Sequence, residues 1–154
     1  MKEYIKLEFM WIGVTLLVST LILFPIYYVA REGYLFYISN FVAIFIFLSL
    51  TRYIFMLKHT PFARVKWFKF LWIFLPIPLL MLSIDNMMEF QQYLEEEGTY
   101  ALIKANNGDI KFSVIQWIRS QYIFFGVGAI IVLLLIPVRM IISFWRTTNT
   151  VDRV

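Results

Sequence analysis

Residues 120–138 read SQYIFFGVGAIIVLLLIPV, nineteen residues without a charge, followed directly by Arg139. An α-helix rises about 1.5 Å per residue, so roughly 20 apolar residues cross the ~30 Å hydrocarbon core of a bilayer. In lipid every backbone amide must be paired, and a helix pairs them all internally. The stretch is therefore read as a membrane span, occupying about residues 120–145. Three companions precede it.

Residues 9–30 hold twenty-two uncharged residues in a row. A cleaved leader would carry a shorter apolar run ending in a small-residue cleavage site. Here Tyr27, Tyr28, Val29 and Ala30 run straight into Arg31 and Glu32, so the segment is read as a retained anchor, bent near Pro25 where a backbone donor is missing. A second span is placed at about 34–57. A third, at about 67–84, has an uncharged core of only fifteen residues, 70–84, interrupted by Pro76 and Pro78. Lys69 can lengthen it by reaching toward the headgroups.

Sorting cations by side tests this four-span scheme. One side takes Lys2, Lys6, Arg52, Lys58, Arg64, Lys66, Lys69, Arg139, Arg146 and Arg153; the other takes Arg31, Lys104, Lys111 and Arg119. Basic residues flanking short loops stay in the cytoplasm, so both termini are expected there. Composition agrees with the class. Of 154 residues 61% are hydrophobic and 16% charged, against about 25% charged in soluble domains. The expectation is a single integral domain in a bacterial inner membrane. Cysteine is absent from the sequence, which excludes disulfides, thiol chemistry and cysteine-ligated zinc or iron–sulfur clusters.

Residues 85–119 form the one sizeable stretch outside the bilayer. Apolar residues at Ile84, Met87, Met88 and Leu94 continue the third span outward as a helix, which Gly98 should stop. Residues 99–114 alternate around Asn107-Gly108, a pair suited to a two-residue hairpin turn. That register places Ala105 opposite Ile110, Ile103 opposite Phe112 and Ala101 opposite Val114 on one apolar face. The expected fold is thus an all-α bundle of four transmembrane helices, with a helical extension and a small β-hairpin between the third and fourth. Ser113 and Gln116 would cap the last helix.

Few constellations carry chemistry. His59 is the sole histidine, so neither paired haem ligands nor a multi-histidine metal site nor a serine–histidine–acid set can be assembled. No glycine-rich phosphate loop is present, and the run Glu95-Glu96-Glu97 lacks calcium-loop spacing. No enzyme activity and no cofactor are expected. Asp85, with Glu89 one turn beyond it, is paired in this reading with Arg119 across the outer edges of spans three and four, as an ion pair fixing helix register. Arg52, Arg64, Lys66, Lys69 and Arg139 form a basic collar suited to lipid phosphate rather than to nucleic acid, since the same residues already account for topology. Gly126 and Ala129 offer a close-packing helix surface.

Three functions fit these residues. In the leading one the chain is an accessory or assembly subunit of a larger membrane complex, touching other subunits through the hairpin residues Ala101, Ile103, Phe112 and Val114, because a two-stranded hairpin needs a surface to cover. The second is a small transporter or channel component with Asp85, Asn86 and Arg119 at its outer mouth and Pro25, Pro76 and Pro78 permitting helix breaks, and the third a sensor signalling through a partner.

Overall fold

A computed structural model describes residues 2–30, 33–56, 66–103 and 108–149. Five α-helices appear: α1 (Lys2–Ala30), α2 (Tyr37–Met56), α3 (Lys66–Phe74), α4 (Pro76–Glu96) and α5 (Gly108–Asn149), with a 3₁₀ turn at Thr99–Leu102. They supply four stretches long and apolar enough to cross a membrane, Ile5–Ala30, Tyr37–Met56, Phe70–Glu96 and Phe112–Arg146. The chain is an all-helical, multi-pass membrane protein.

Helices α3 and α4 make one span with a joint in it. The Leu75 amide still donates to the Leu71 carbonyl at 2.9 Å, but Pro76 and Pro78 bring no N–H to the next turn, so the ladder is interrupted there. Beyond the joint α4 runs on to Glu96 and closes at Gly98, whose φ of +80° is open to glycine and strained for other residues.

The β-hairpin is overturned. No strand occurs among the described residues: 99–102 wind into the 3₁₀ turn, Ile103 is extended, and α5 has already begun at Gly108. Ala105 and Asn107 lie outside the described residues, while Phe112, Ser113 and Val114 are all helical, so Ser113 caps nothing. The physical reason is visible in the buried positions. Ile115, Ile118 and Tyr122 are buried at helical spacing, and lengthening an existing helix adds a hydrogen bond for each residue ordered. A lone two-stranded hairpin gains much less in water.

Helices α2 and α5 form the central pair; α1 packs on both, and α3 and α4 pack on α5. Two cores result. At the near end, where α1 begins and α2 and α5 finish, Leu50 and Tyr53 meet Val132, Leu133, Ile136 and Met140, with Trp72 and Ile73 against them. At the far end, Leu23, Ile26, Tyr34, Phe36, Phe90, Leu102, Ile103, Ile118 and Tyr122 pack together. Phe90 stacks on Tyr122 with centroids 4.0 Å apart, and Phe36 meets both rings edge-on.

Lipid tails are as apolar as leucine, so close approach rather than water exclusion must hold such helices together. Gly128 allows it: a Cβ there would stand 2.6 Å from the Phe47 ring. Gly126 lies against Met87, where a Cβ would stand 3.0 Å from Sδ, and Ala129 is fully buried. Several hydroxyls within the spans bond to their own helix. Thr15 donates to the Trp11 carbonyl, Ser19 to Thr15 and Ser83 to Leu79, each at 2.8 Å.

Candidate functional site

The strongest polar constellation lies at the near end, where α1 crosses α2. Glu8, one turn before Trp11 on α1, turns its carboxylate toward α2. Arg52 Nη2 donates to Glu8 Oε2 at 2.9 Å, and the Tyr53 hydroxyl donates to Glu8 Oε1. Both ionic side chains are nearly sealed, 10% exposed for Arg52 and 11% for Glu8. The guanidinium also lies over the Trp11 ring, 5.2 Å from its centroid, and 5.7 Å from that of Tyr53. Tyr53 in turn touches Trp72 of α3, centroid to centroid 5.4 Å. One carboxylate thus gathers three helices.

Charge, hydrogen bonding and aromatic packing all act in this cluster in the same direction. A carboxylate accepting from a guanidinium and a phenol has its charge countered on both oxygens, and the ring faces attract the remaining cationic surface. Such a closed set holds helices in register. Each carboxylate oxygen has a donor on it, and the side chain is only 11% exposed.

Reading the sequence alone leaves Glu8 among the polar residues before the first span. A signal was nevertheless there: Glu8, Thr15, Ser19, Leu23, Ile26 and Ala30 fall on one helical line, and all six are buried. A polar residue in phase with the buried line of a span faces the protein, not the water.

The far end carries a second, milder polar group. Ser39 Oγ donates to Asn86 Oδ1 at 3.4 Å, and the Tyr122 hydroxyl donates to the Asn86 carbonyl at 3.2 Å. Together with Ser83, Met87 and Gly126 they line a narrow cleft between α2, α4 and α5. Beside it Asn40 Nδ2 donates to the Tyr34 hydroxyl at 3.2 Å. Burial pushes the Tyr34 hydroxyl well above the usual tyrosine range, with the Asn40 hydrogen bond opposing, so it stays neutral.

Asp85, Glu89 and Arg119 are all exposed, and none of them forms an ion pair among the described residues. One residue along a helix is a rotation of about 100°, which is enough to put Asn86 inward and Asp85 outward. Of the basic collar, Arg52 is paired with Glu8, Arg64 lies outside the described residues, and Lys66 and Lys69 belong to α3. Arg139 is half-buried on α5, and its buried Nε meets no acceptor among the described residues.

The residues assigned to partner contact separate into two groups. Ile103 is 1% exposed and sits in the far-end core, Val114 packs against that core, and the Ala101 carbonyl accepts from Tyr93 at 3.1 Å. Phe112 instead stands 49% exposed beside Tyr100, itself 63% exposed, with ring centroids 6.4 Å apart. Among the described residues no group of three or more histidine, cysteine or acidic side chains could hold a metal ion; His59 lies outside them.

No family model matches this chain, and no curated protein or solved structure matches it.

Proposed function

We propose that this protein acts by association, as a non-enzymatic accessory or assembly subunit of a larger complex in a bacterial inner membrane, its termini and near end in the cytoplasm. The observation that carries the reading is the far-end cap. There the chain folds Leu102 and Ile103 into its own core yet holds the Tyr100–Phe112 aromatic pair outward. Phe112 precedes Ser120 by eight residues, so it stands roughly 12 Å beyond the apolar core of the fourth span. Exposed aromatic side chains on a rigid support are the residue type that anchors protein interfaces.

Support also comes from the interior. Apolar and aromatic side chains fill both cores, and the near-end carboxylate is occupied by Arg52 and Tyr53. A transporter needs its polar groups to face a wet route, so these features favour a packed subunit over a conduit. The cation asymmetry supports this orientation.

A photo-crosslinking residue placed at Tyr100 or Phe112 in intact cells tests this. The expected result is one discrete protein adduct from both positions, absent when the probe stands at the lipid-facing Leu21. Adducts to lipid alone at all three positions would mean that the aromatic pair rests in the headgroup layer, and the proposal would fail.

A further inference from the structure

Arg52 on α2 and Arg139 on α5 lie toward the same end of the bundle, but among the described residues only Arg52 has a counter-charge. Arg52 has Glu8 at 2.9 Å. Arg139 is flanked by the buried Ile136 and Met140, and its Nε, shielded from solvent, has no acceptor among the described residues. A guanidinium keeps its charge at any accessible pH and presents five N–H donors in a planar fork, so a half-buried one calls for an anion of matching shape. Leaving it without one is costly in a poorly hydrated place.

What lies on the same side of α5 points to the anion. An apolar groove of about 420 Å³ runs along α5 and is bounded by Phe47, Phe124, Val127, Gly128, Ile131 and Val132. At 100° per residue, Gly128, Val132 and Arg139 fall within about 40° of one another around the helix, and Arg139 lies two turns, roughly 10 Å, beyond Val132. The guanidinium therefore stands beyond the edge of the groove that Gly128 and Val132 form, with Val127 and Ile131 about 120° and 80° away around the helix. Depth fits as well: from Ser120 to Arg139 is about 28 Å of helix, the thickness of the hydrocarbon layer, so the guanidinium reaches the headgroup level. Trp145, 64% exposed just past it, is the kind of side chain that marks this boundary.

We propose that this face is a binding site for an anionic phospholipid, with the headgroup phosphate on Arg139 and one acyl chain along the groove between Phe47 and Ile131. Charge complementarity selects the occupant, because an apolar transmembrane helix would fill the groove and leave the guanidinium unanswered. Arg52 takes no part, its charge being already met.

Native mass spectrometry of the full chain, released from detergent after titration with dioleoylphosphatidylglycerol, dioleoylphosphatidylcholine or inorganic phosphate, decides the matter. Phosphatidylglycerol should be retained about tenfold more tightly than phosphatidylcholine, the scale of one charge-assisted contact, and inorganic phosphate should not displace it. Arg139→Gln should bring the two lipids to parity, Arg139→Lys should keep part of the preference, and Arg119→Gln at the opposite end should keep all of it. Val127→Trp, which fills the groove and leaves Arg139 intact, should weaken retention of both lipids. If Arg139→Gln does not fold, Arg139→Lys and Val127→Trp still decide. The proposal is overturned by an unchanged lipid preference in Arg139→Gln or, should that variant not fold, by wild-type retention in Val127→Trp. It is overturned equally by displacement of the lipid by phosphate, or by a second protein chain occupying the groove in place of lipid.

Discussion

Replacing Glu8 by alanine should destabilise the bundle more than any other single truncation of a polar side chain. The carboxylate serves two donors, Arg52 and Tyr53, and both ionic side chains are about nine-tenths shielded. Removing it leaves a guanidinium sealed against α1 without its carboxylate and takes from the Tyr53 hydroxyl the acceptor it has in Glu8. Losing one member of a buried pair costs about 3–5 kcal/mol. A Coulomb estimate agrees, since unit charges ~4 Å apart at an effective dielectric constant near 20 attract by about 4 kcal/mol. Glu8→Gln keeps an acceptor but loses the charge, and should cost less, about 1.5–3 kcal/mol. Removing the whole set as Glu8→Leu, Arg52→Leu and Tyr53→Phe should recover most of the loss, because apolar replacement of a buried pair is often neutral. Denaturant titration in dodecylmaltoside micelles, followed by tryptophan emission, reads all of these, since Trp11 and Trp72 border the cluster. A Glu8–Arg52 coupling energy below about 0.5 kcal/mol, the range of exposed pairs, would refute the reasoning: water or lipid would then be serving both charges.

Three further outcomes follow from the packing. Gly128→Val should cost about 1–3 kcal/mol by overpacking, because its Cβ would meet the Phe47 ring at 2.6 Å; adding Phe47→Ala should relieve the clash, read as recovery of the thermal midpoint. Ile103→Ala should cost about 2–5 kcal/mol and open the segment after Gly98 to proteolysis, whereas Phe112→Ala should leave stability within about 0.5 kcal/mol. Asp85→Asn should likewise be neutral within about 0.5 kcal/mol, while Tyr122→Phe, which gives up the 3.2 Å bond to the Asn86 carbonyl, should cost about 1 kcal/mol in the same titration.

The spans were legible because lipid allows the backbone so few forms. An uncharged run of the right length has to be a helix, and even the third span, whose apolar core is short and broken by two prolines, crosses as α3 and α4 together. Residues 99–114 lie where that constraint ends. There Ile110, Phe112 and Val114 alternate like a strand, but Ile115, Ile118 and Tyr122 follow at helical spacing, and the choice between them depends on a long helix already being present to extend. That helix is the fourth span, and the surface that buries Ile115, Ile118 and Tyr122 along its extension is supplied only by the tertiary fold.

Site residues were missed for a different reason, which concerns phase rather than length. Classed by distance from the membrane centre, Asp85 is the notable acid at the far end and Glu8 merely part of a polar start. Classed by angle, the order reverses. Glu8 lies on the line of Thr15, Ser19 and Ile26, all buried, and Asn86 on that of Ser83 and Phe90, which pack inward, while Asp85 lies off it. Inside a bundle a polar side chain has only protein to bond with, so a hydroxyl on the buried line turns to its own helix, as Thr15 and Ser19 do, and a longer polar group is matched across helices, as Glu8 is with Arg52 and Asn86 with Ser39. Off that line an acid at the membrane edge can be served by water and requires no partner. Arg139 falls between these cases, too shielded for water to serve its Nε and facing no carboxylate among the described residues, and that intermediate position is what directs it to a ligand from the membrane itself.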